Sequence, residues 1–147
     1  MHSSCCEGSA RRRTRHLWGM VTAYAQSMER YSFVDLDELP GEGPSGAVKK
    51  LRRALGAHAF GFNYFDLAPD AEGVEHDETE SSQEEVMFVV AGSGRLRIDG
   101  DELELRPGRF VRLDPSAVRC PVAGPDGLSF VTFGSPVNER YEPPSWG

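Results

Sequence analysis

Hydrophobic and polar residues alternate in short runs through the middle of this chain. Residues 95–98 (RLRI) alternate strictly, and residues 103–105 (LEL) resume the alternation after an Asp99-Gly100 turn. Side chains on a β-strand point alternately to its two faces, and Asp-Gly is a favoured two-residue hairpin turn. The pattern therefore predicts a β-hairpin with one buried side and one side facing solvent.

Short apolar runs elsewhere predict further strands. We predict an edge strand at residues 32–36 and strands at residues 57–67, 84–91, 110–113, 118–122 and 128–133. Gly92 and Gly94 are predicted to bracket a turn, and residues 40–46 form a loop by composition. Residues 48–55 have apolar positions at helical spacing but are too few to decide between helix and strand. Many short strands separated by turns are typical of an all-β sandwich or barrel.

The charge is unevenly distributed along the 147 residues. The chain carries a net charge of -7, whereas residues 1–27 hold four arginines and one glutamate, so residues 28–147 carry -10. Such an acidic body argues against nucleic-acid binding, and the sequence has no run of about 18 apolar residues that would predict a membrane span. Cys120 is the only cysteine after residue 27, which excludes a disulfide framework and favours a cytoplasmic protein.

Composition divides the chain into three parts. Residues 1–27 are basic and lack apolar periodicity, so we interpret them as a disordered leader or an over-extended start of the reading frame. Residues 28–140 are long enough for a single domain with one core. Residues 141–147 form a tail in which Tyr141 and Trp146 are candidates for contact with the domain or with a second subunit.

Two spaced motifs lie within residues 73–123: Glu78, Glu80, Glu85 and Gly92 form the first, and Gly108 and Arg119 belong to the second. Together they resemble the paired signatures of the cupin superfamily. The first signature has two histidines one residue apart, then a glutamate, then a glycine seven residues after that glutamate. Glu85 and Gly92 keep this last spacing, while Glu78 and Glu80 stand at the two histidine positions. The chain thus keeps the spacing of the signature but lacks the two histidines that would bind a metal.

The second signature runs from a glycine through a proline and a glycine to a histidine. Gly108 opens it in this chain, and Arg119 stands where the histidine is expected. The resemblance covers roughly residues 57–134. It implies an all-β fold, a cupin-type antiparallel β-barrel that is also described as a double-stranded β-helix or jelly roll, and a possible homodimer. The fold does not by itself choose among the many functions of cupins.

Three carboxylates fall at or near the replaced ligand positions. If Glu85 points into the barrel, strand alternation directs Glu84 outward. Glu78, Glu80 and Glu85 would repel one another in a low dielectric unless a positive charge meets them, and Arg119 supplies a fixed positive charge. In the alternative interpretation, Glu78 and Glu80 lie on a loop at the mouth of the barrel and face water.

His76 is the only histidine near the first motif. A shift in loop register would let His76 bind a divalent metal together with Glu78 and Glu85, although one imidazole and two carboxylates match the usual iron set poorly. A lone loop histidine is more often exposed to solvent. We therefore expect no cofactor and no bound metal, and we name His76, Glu78 and Glu85 as the ligands if a divalent metal does bind.

The aromatic run at residues 60–65 is mostly core by composition. Alternation places Phe60, Phe62 and Tyr64 on one face of a strand and Asn63 with Phe65 on the other. Asn63 or Tyr64 could supply the polar group that orients a ligand in an apolar pocket.

Two classes of function follow from these residues. The first is a small-molecule-binding cupin whose metal site is degenerate, with a pocket formed from candidates Asn63, Tyr64, Glu78, Glu80, Glu85 and Arg119. The second is a cupin enzyme. Isomerase- or epimerase-type proton transfer would use Glu85 or His76 as the base and Arg119 to hold an anionic group. A metal-dependent dioxygenase would require metal binding by His76 and Glu85.

Overall fold

The computed structural model of the protein describes residues 31–137. These residues form six strands and one short helix, with 3-10 turns at Leu36–Glu38 and Pro44–Gly46. The elements are β1 (Val48–Lys49), α1 (Leu51–Leu55), β2 (Gly61–Leu67), β3 (Gln83–Ile98), β4 (Asp101–Leu105), β5 (Phe110–Leu113) and β6 (Arg119–Pro136). The predicted leader and the tail with Tyr141 and Trp146 lie outside the described residues. Within residues 31–137, no helix is long and apolar enough to cross a membrane.

All pairings in the sheet are antiparallel. The strand order is β1-β2-β6-β3-β4, and β5 pairs with β3. The long strands β3 and β6 run together from the Gln83–Pro136 pair to the Ile98–Arg119 pair. One end of this long ladder is flanked by β2 and β5, and the other end by β4. The predicted all-β class is confirmed, and within residues 31–137 the ladder ends at β1 and β4 without closing.

The predicted turn at Gly92 and Gly94 is wrong, because β3 continues through both glycines. The register against β6 shifts on either side of Gly92, so the strand bends at bulges instead of reversing. Gly92 has φ 77°, and a Cβ there would lie 2.1 Å from the carbonyl oxygen of Gly127. Glycine is needed here because the backbones of two neighbouring strands approach closely. Glycine is also typical of turns, so both cases give the same pattern in the sequence. The strands predicted at residues 118–122 and 128–133 likewise join into β6.

The structure also corrects the edges of the domain. The predicted edge strand at residues 32–36 is wrong, because the chain there is irregular and leads into the 3-10 turn at Leu36–Glu38. The carbonyl oxygens of Leu36 and of Leu39, which follows the turn, accept hydrogen bonds from Lys49 Nζ at 2.6 and 3.0 Å. The ambiguous segment at residues 48–55 contains both a two-residue strand and a one-turn helix. Gly56, at φ 66°, ends that helix with a left-handed cap.

The core lies on one face of the sheet, and every second residue of each strand points to that face. Met87 and Val89 of β3 meet Leu113 of β5 and Phe130 of β6 there, and all four are buried. The predicted hairpin between β3 and β4 is confirmed, with positive φ at both turn residues (Asp99, 49°; Gly100, 91°). The core side of β3 is thus fixed by alternation, and the same alternation positions the first residue of the candidate site.

Candidate functional site

A cavity of about 220 Å³ opens on the core side of the sheet. Its walls come from β1, β2, β3, β5 and β6, together with the loop after β2 and the segment around Pro44 and Ser45. The strand side chains that line it include Phe65, Leu67, Met87, Leu113, Phe130 and Thr132. Three further lining residues, His76, Glu85 and Arg119, make one end of this mainly apolar cavity polar and charged.

Strand alternation brings Glu85 into the cavity. Glu85 shares its face of β3 with Met87, whereas its neighbour Glu84 points to the other face and binds Arg112. Across the ladder, Glu85 pairs in register with Leu113 and with Gly134. On this side of β3, Glu85 lies between the buried amide of Gln83 and the buried apolar side chain of Met87.

Arg119, the first residue of β6, supplies the positive charge. Its side chain is only 2% exposed, and its Nη2 donates to the Glu85 carboxylate and lies 4.0 Å from Glu78 Oε1. Its Nη1 donates to the carbonyl oxygen of Ala117 at 3.2 Å, while its Nε has no partner among the described residues. The guanidinium therefore lies between two carboxylates, in a position fixed by the backbone.

The loop after β2 runs antiparallel to the start of β6 and carries the other two site residues. Gly73 donates its N–H to the carbonyl oxygen of Pro121 at 2.8 Å, and His76 and Arg119 exchange backbone hydrogen bonds at 3.1 and 2.9 Å. Glu78 then donates its N–H to the carbonyl oxygen of Pro115 at 2.8 Å. These bonds set His76 directly opposite Arg119 and place Glu78 beside it.

His76 is exposed but lines the cavity with its ring. Its Nδ1 lies 2.9 Å from the carbonyl oxygen of Val74. A carbonyl can only accept, so the neutral ring holds its proton on Nδ1 and keeps a lone pair on Nε2. One ligand atom each from His76, Glu78 and Glu85 lie within 4.8 Å of one another. This imidazole and the two carboxylates form the only group of three potential metal ligands within residues 31–137.

A divalent metal at this group is what the resemblance to cupins implies. One imidazole and two carboxylates are acceptable donors for a divalent ion. However, Arg119 already donates to Glu85 and lies beside Glu78, and a guanidinium stays protonated at any relevant pH. A divalent ion bound by the same carboxylates would face this buried positive charge at close range. The residues therefore do not fit a metal centre, since the arginine occupies its electrostatic place.

Three of the predicted pocket residues lie elsewhere. Glu80 is exposed in the turn before β3 and is not in the charged cluster, as the water-facing alternative proposed. Tyr64 points to the opposite face of β2 from Phe65, so it does not line the cavity. Asn63 shares the face of Phe65 and pairs in register with Thr132, but the cavity reaches Thr132 without reaching Asn63.

Sequence reasoning missed two lining residues that a signal could have revealed. Phe65 stacks on Phe130, with ring centroids 4.8 Å apart and an interplanar angle of 7°. Alternation had placed Phe65 on the face opposite Tyr64, but it was assigned no role in the pocket. Thr132 interrupts an otherwise apolar part of β6 with a buried hydroxyl. A polar residue within an apolar run of a predicted strand is the signal that the sequence carries for Thr132.

No protein-family model and no curated protein matches this sequence. Solved structures do. A cupin protein from Bacteroides fragilis is 20% identical over 80% of this chain and 93% of its own, with a TM-score of 0.64. A sugar phosphate isomerase from a cupin superfamily, from Silicibacter pomeroyi, is 23% identical over 72% of this chain and 76% of its own, with a TM-score of 0.59. A Cupin 2 conserved barrel domain protein from Salinispora arenicola is 19% identical over 74% and 89%, with a TM-score of 0.54.

Proposed function

Because this chain has the cupin fold, we propose that it binds a small molecule in the cavity on the core side of its sheet. The observation that carries the proposal is the shape of that cavity: about 220 Å³ of space, apolar along its walls, with Glu85, Arg119 and His76 converging at one end. Ligand sites in proteins combine apolar walls with a few well-placed polar groups in this way. Arg119 takes the electrostatic place of a metal.

The cost of the charged cluster supports a functional reason for it. The cavity opens to solvent and interrupts the close packing that protein interiors otherwise show. A buried Glu–Arg pair is often no more stable than apolar residues of similar volume. Arg119 in addition leaves its buried Nε without a partner among the described residues. Stability alone does not account for this arrangement, whereas ligand binding does.

The test is a fragment screen read out inside the cavity. Two-dimensional NMR of the protein with a labelled Met87 methyl group should show shifts with a subset of small molecules. Ala71→Leu, which adds bulk to the cavity wall, should abolish those shifts, whereas Ala91→Leu on an exposed part of β3 should retain them. If no compound shifts Met87, or if Ala71→Leu binds as the wild type does, the proposal is wrong.

Proton-transfer catalysis of the isomerase or epimerase type is the second candidate, and the ring of His76 favours it. The hydrogen bond from Nδ1 to the Val74 carbonyl oxygen leaves Nε2 as a base at the cavity. A base in this position could remove a proton next to a carbonyl group of a bound ligand. Arg119 is a poor anion holder in such a reaction because its Nη groups already donate to Glu85 and Ala117.

This second candidate is tested by exchange of carbon-bound protons. A ketone identified in the fragment screen, incubated with the protein in D2O, should lose its α-proton signal faster than in buffer alone. His76→Asn should remove the acceleration, and His58→Asn should not, because His58 is exposed and does not line the cavity. Equal exchange with and without protein would exclude the enzyme and leave the binding proposal in place.

A further inference from the structure

The charges around the cavity indicate what kind of molecule it takes. We infer that the ligand is a compact apolar amine, and not a carboxylate or a phosphate. This inference rests on the proposed binding function and adds the chemical class of the ligand. Three observations carry it: the balance of charge around the cavity, the hydrogen bonds that the Arg119 guanidinium already donates, and the aromatic wall.

The cavity has an excess of negative charge. At its charged end, the Glu85 carboxylate meets the single guanidinium of Arg119. The Glu78 carboxylate lies just behind Arg119, 4.0 Å from Nη2. Two carboxylates against one guanidinium leave one negative charge in excess. Asp66 and Glu72 do not add to it, because Asp66 points to the opposite face of β2 from Phe65 and Leu67 and accepts a hydrogen bond from Ser129, while Glu72 is paired with Arg97.

Arg119 is not free to bind an anion. Its Nη2 donates to Glu85, its Nη1 donates to the Ala117 carbonyl oxygen, and the side chain is 2% exposed. A carboxylate or phosphate at this end of the cavity would have to displace Glu85 and would come close to Glu78. Both changes place like charges together where water screens them poorly. An ammonium group donates hydrogen bonds to the Glu85 carboxylate, and its single charge balances the excess left by Glu78, Glu85 and Arg119, whereas a divalent metal would reverse it.

The rest of the wall suits an apolar body with a cationic end. Phe65 and Phe130 stack with a 4.8 Å centroid separation and both line the cavity. The face of an aromatic ring attracts a cation by about 0.5–1 kcal/mol or more. The volume of about 220 Å³ is below the roughly 300–1,000 Å³ of pockets that take drug-sized ligands. A single six-membered ring with a one-carbon arm is smaller than such ligands.

The experiment compares three probes of nearly equal shape: benzylamine, benzyl alcohol and benzoate. Each is titrated into the full chain at neutral pH and followed by the Met87 methyl signal and by calorimetry. Benzylamine should bind most tightly, and benzoate should bind at least about tenfold more weakly. Added salt should weaken benzylamine binding and leave benzyl alcohol binding nearly unchanged. Benzoate binding as tightly as benzylamine would overturn the inference while leaving the proposed binding function intact.

A matched pair of variants assigns the selectivity to the cavity. Glu85→Gln and Glu84→Gln remove the same charge from adjacent residues of β3, one facing the cavity and one facing away. Glu85→Gln should lower the affinity for benzylamine by about tenfold, and Glu84→Gln should leave it unchanged. Equal affinities in both variants would contradict the assignment. If Glu85→Gln does not fold, the salt titration of the wild-type chain still decides. Failure of all three probes would overturn this inference; a fragment screen without any hit would overturn the proposed function as well.

Discussion

Two Glu–Arg pairs begin at adjacent residues of β3 and lie on opposite faces of the same sheet. Glu85 binds Arg119 on the core side, where the side chains are 16% and 2% exposed. Glu84 binds Arg112 on the outer side, where they are 39% and 60% exposed. The outer pair joins neighbouring strands, with Arg112 Nε 2.6 Å from Glu84 Oε2. The chemistry of the two pairs is the same, and only their access to water differs.

This difference decides what each pair does. Water screens the outer pair, so its contribution to stability is about 0–1 kcal/mol. The inner pair has lost most of its hydration, and each member depends on the other to offset that loss. An exposed pair can therefore be exchanged for other surface residues at little cost. The buried pair is tied to the cavity that it borders, which makes it the better indicator of function.

The largest effect is expected from breaking the inner pair alone. Arg119→Leu leaves the Glu85 carboxylate without its partner and should reduce the free energy of unfolding by about 3–5 kcal/mol. Arg112→Leu, the matched change on the outer face, should reduce it by no more than about 1 kcal/mol. Denaturant melts of the two variants and the wild type measure both values. Similar losses in the two variants would show that burial does not distinguish the pairs.

Removing both members of the inner pair should have a smaller effect than removing one. The double variant Arg119→Leu with Glu85→Leu should lie within about 1 kcal/mol of the wild type, because apolar residues can replace a buried ion pair without loss. The same denaturant melts give the result as a double-mutant cycle. A double variant as unstable as Arg119→Leu would mean that the arginine stabilises the fold through other contacts, of which the Ala117 carbonyl oxygen is the first candidate.

The third prediction concerns metal at the inner pair. Wild-type protein purified without chelator should carry well below one equivalent of transition metal, since Arg119 lies between the carboxylates that would bind the ion. Arg119→His removes that fixed charge and adds a ligand beside His76, so its metal content should rise. Elemental analysis of both proteins makes the comparison. Near-stoichiometric metal in the wild type, lost on changing His76 or Glu85, would restore the metal-dependent enzyme.

The smallest effect is expected at the loop that borders the inner pair. The backbone N–H of Thr79 donates to Asp77 Oδ1 at 2.8 Å, and this hydrogen bond holds the pKa of the Asp77 carboxyl below its ordinary value of 3.8. A lowered pKa in the folded state contributes stability above pH 3.8 that is lost as the pH falls through the folded-state value. Asp77→Asn should therefore be slightly less stable than the wild type at neutral pH and indistinguishable at a pH well below 3.8. A difference that persists in acid would contradict this account.

Much of the fold could be predicted because its signals are local. Alternation and the Asp99-Gly100 turn defined the β3–β4 hairpin, and the seven-residue spacing to Gly92 identified Glu85. The wrong predictions came from Gly92 and from the length of β3. Gly92 allows two backbones to approach closely, and a glycine in a turn looks the same in the sequence. A bent strand of 16 residues gives the same sequence pattern as two short strands.

The sequence by itself determined the class of the fold, the sides of each strand and the presence of a carboxylate and an arginine in the motif positions. Only the tertiary structure decided which carboxylates meet that arginine. Glu78 and Glu80 are equivalent in the motif, yet the hydrogen bonds of the loop to β6 bring Glu78 within 4.0 Å of Arg119 and leave Glu80 in water. The same bonds place His76 opposite Arg119. Such pairings join residues about 40 positions apart, and short-range periodicity carries no information about them.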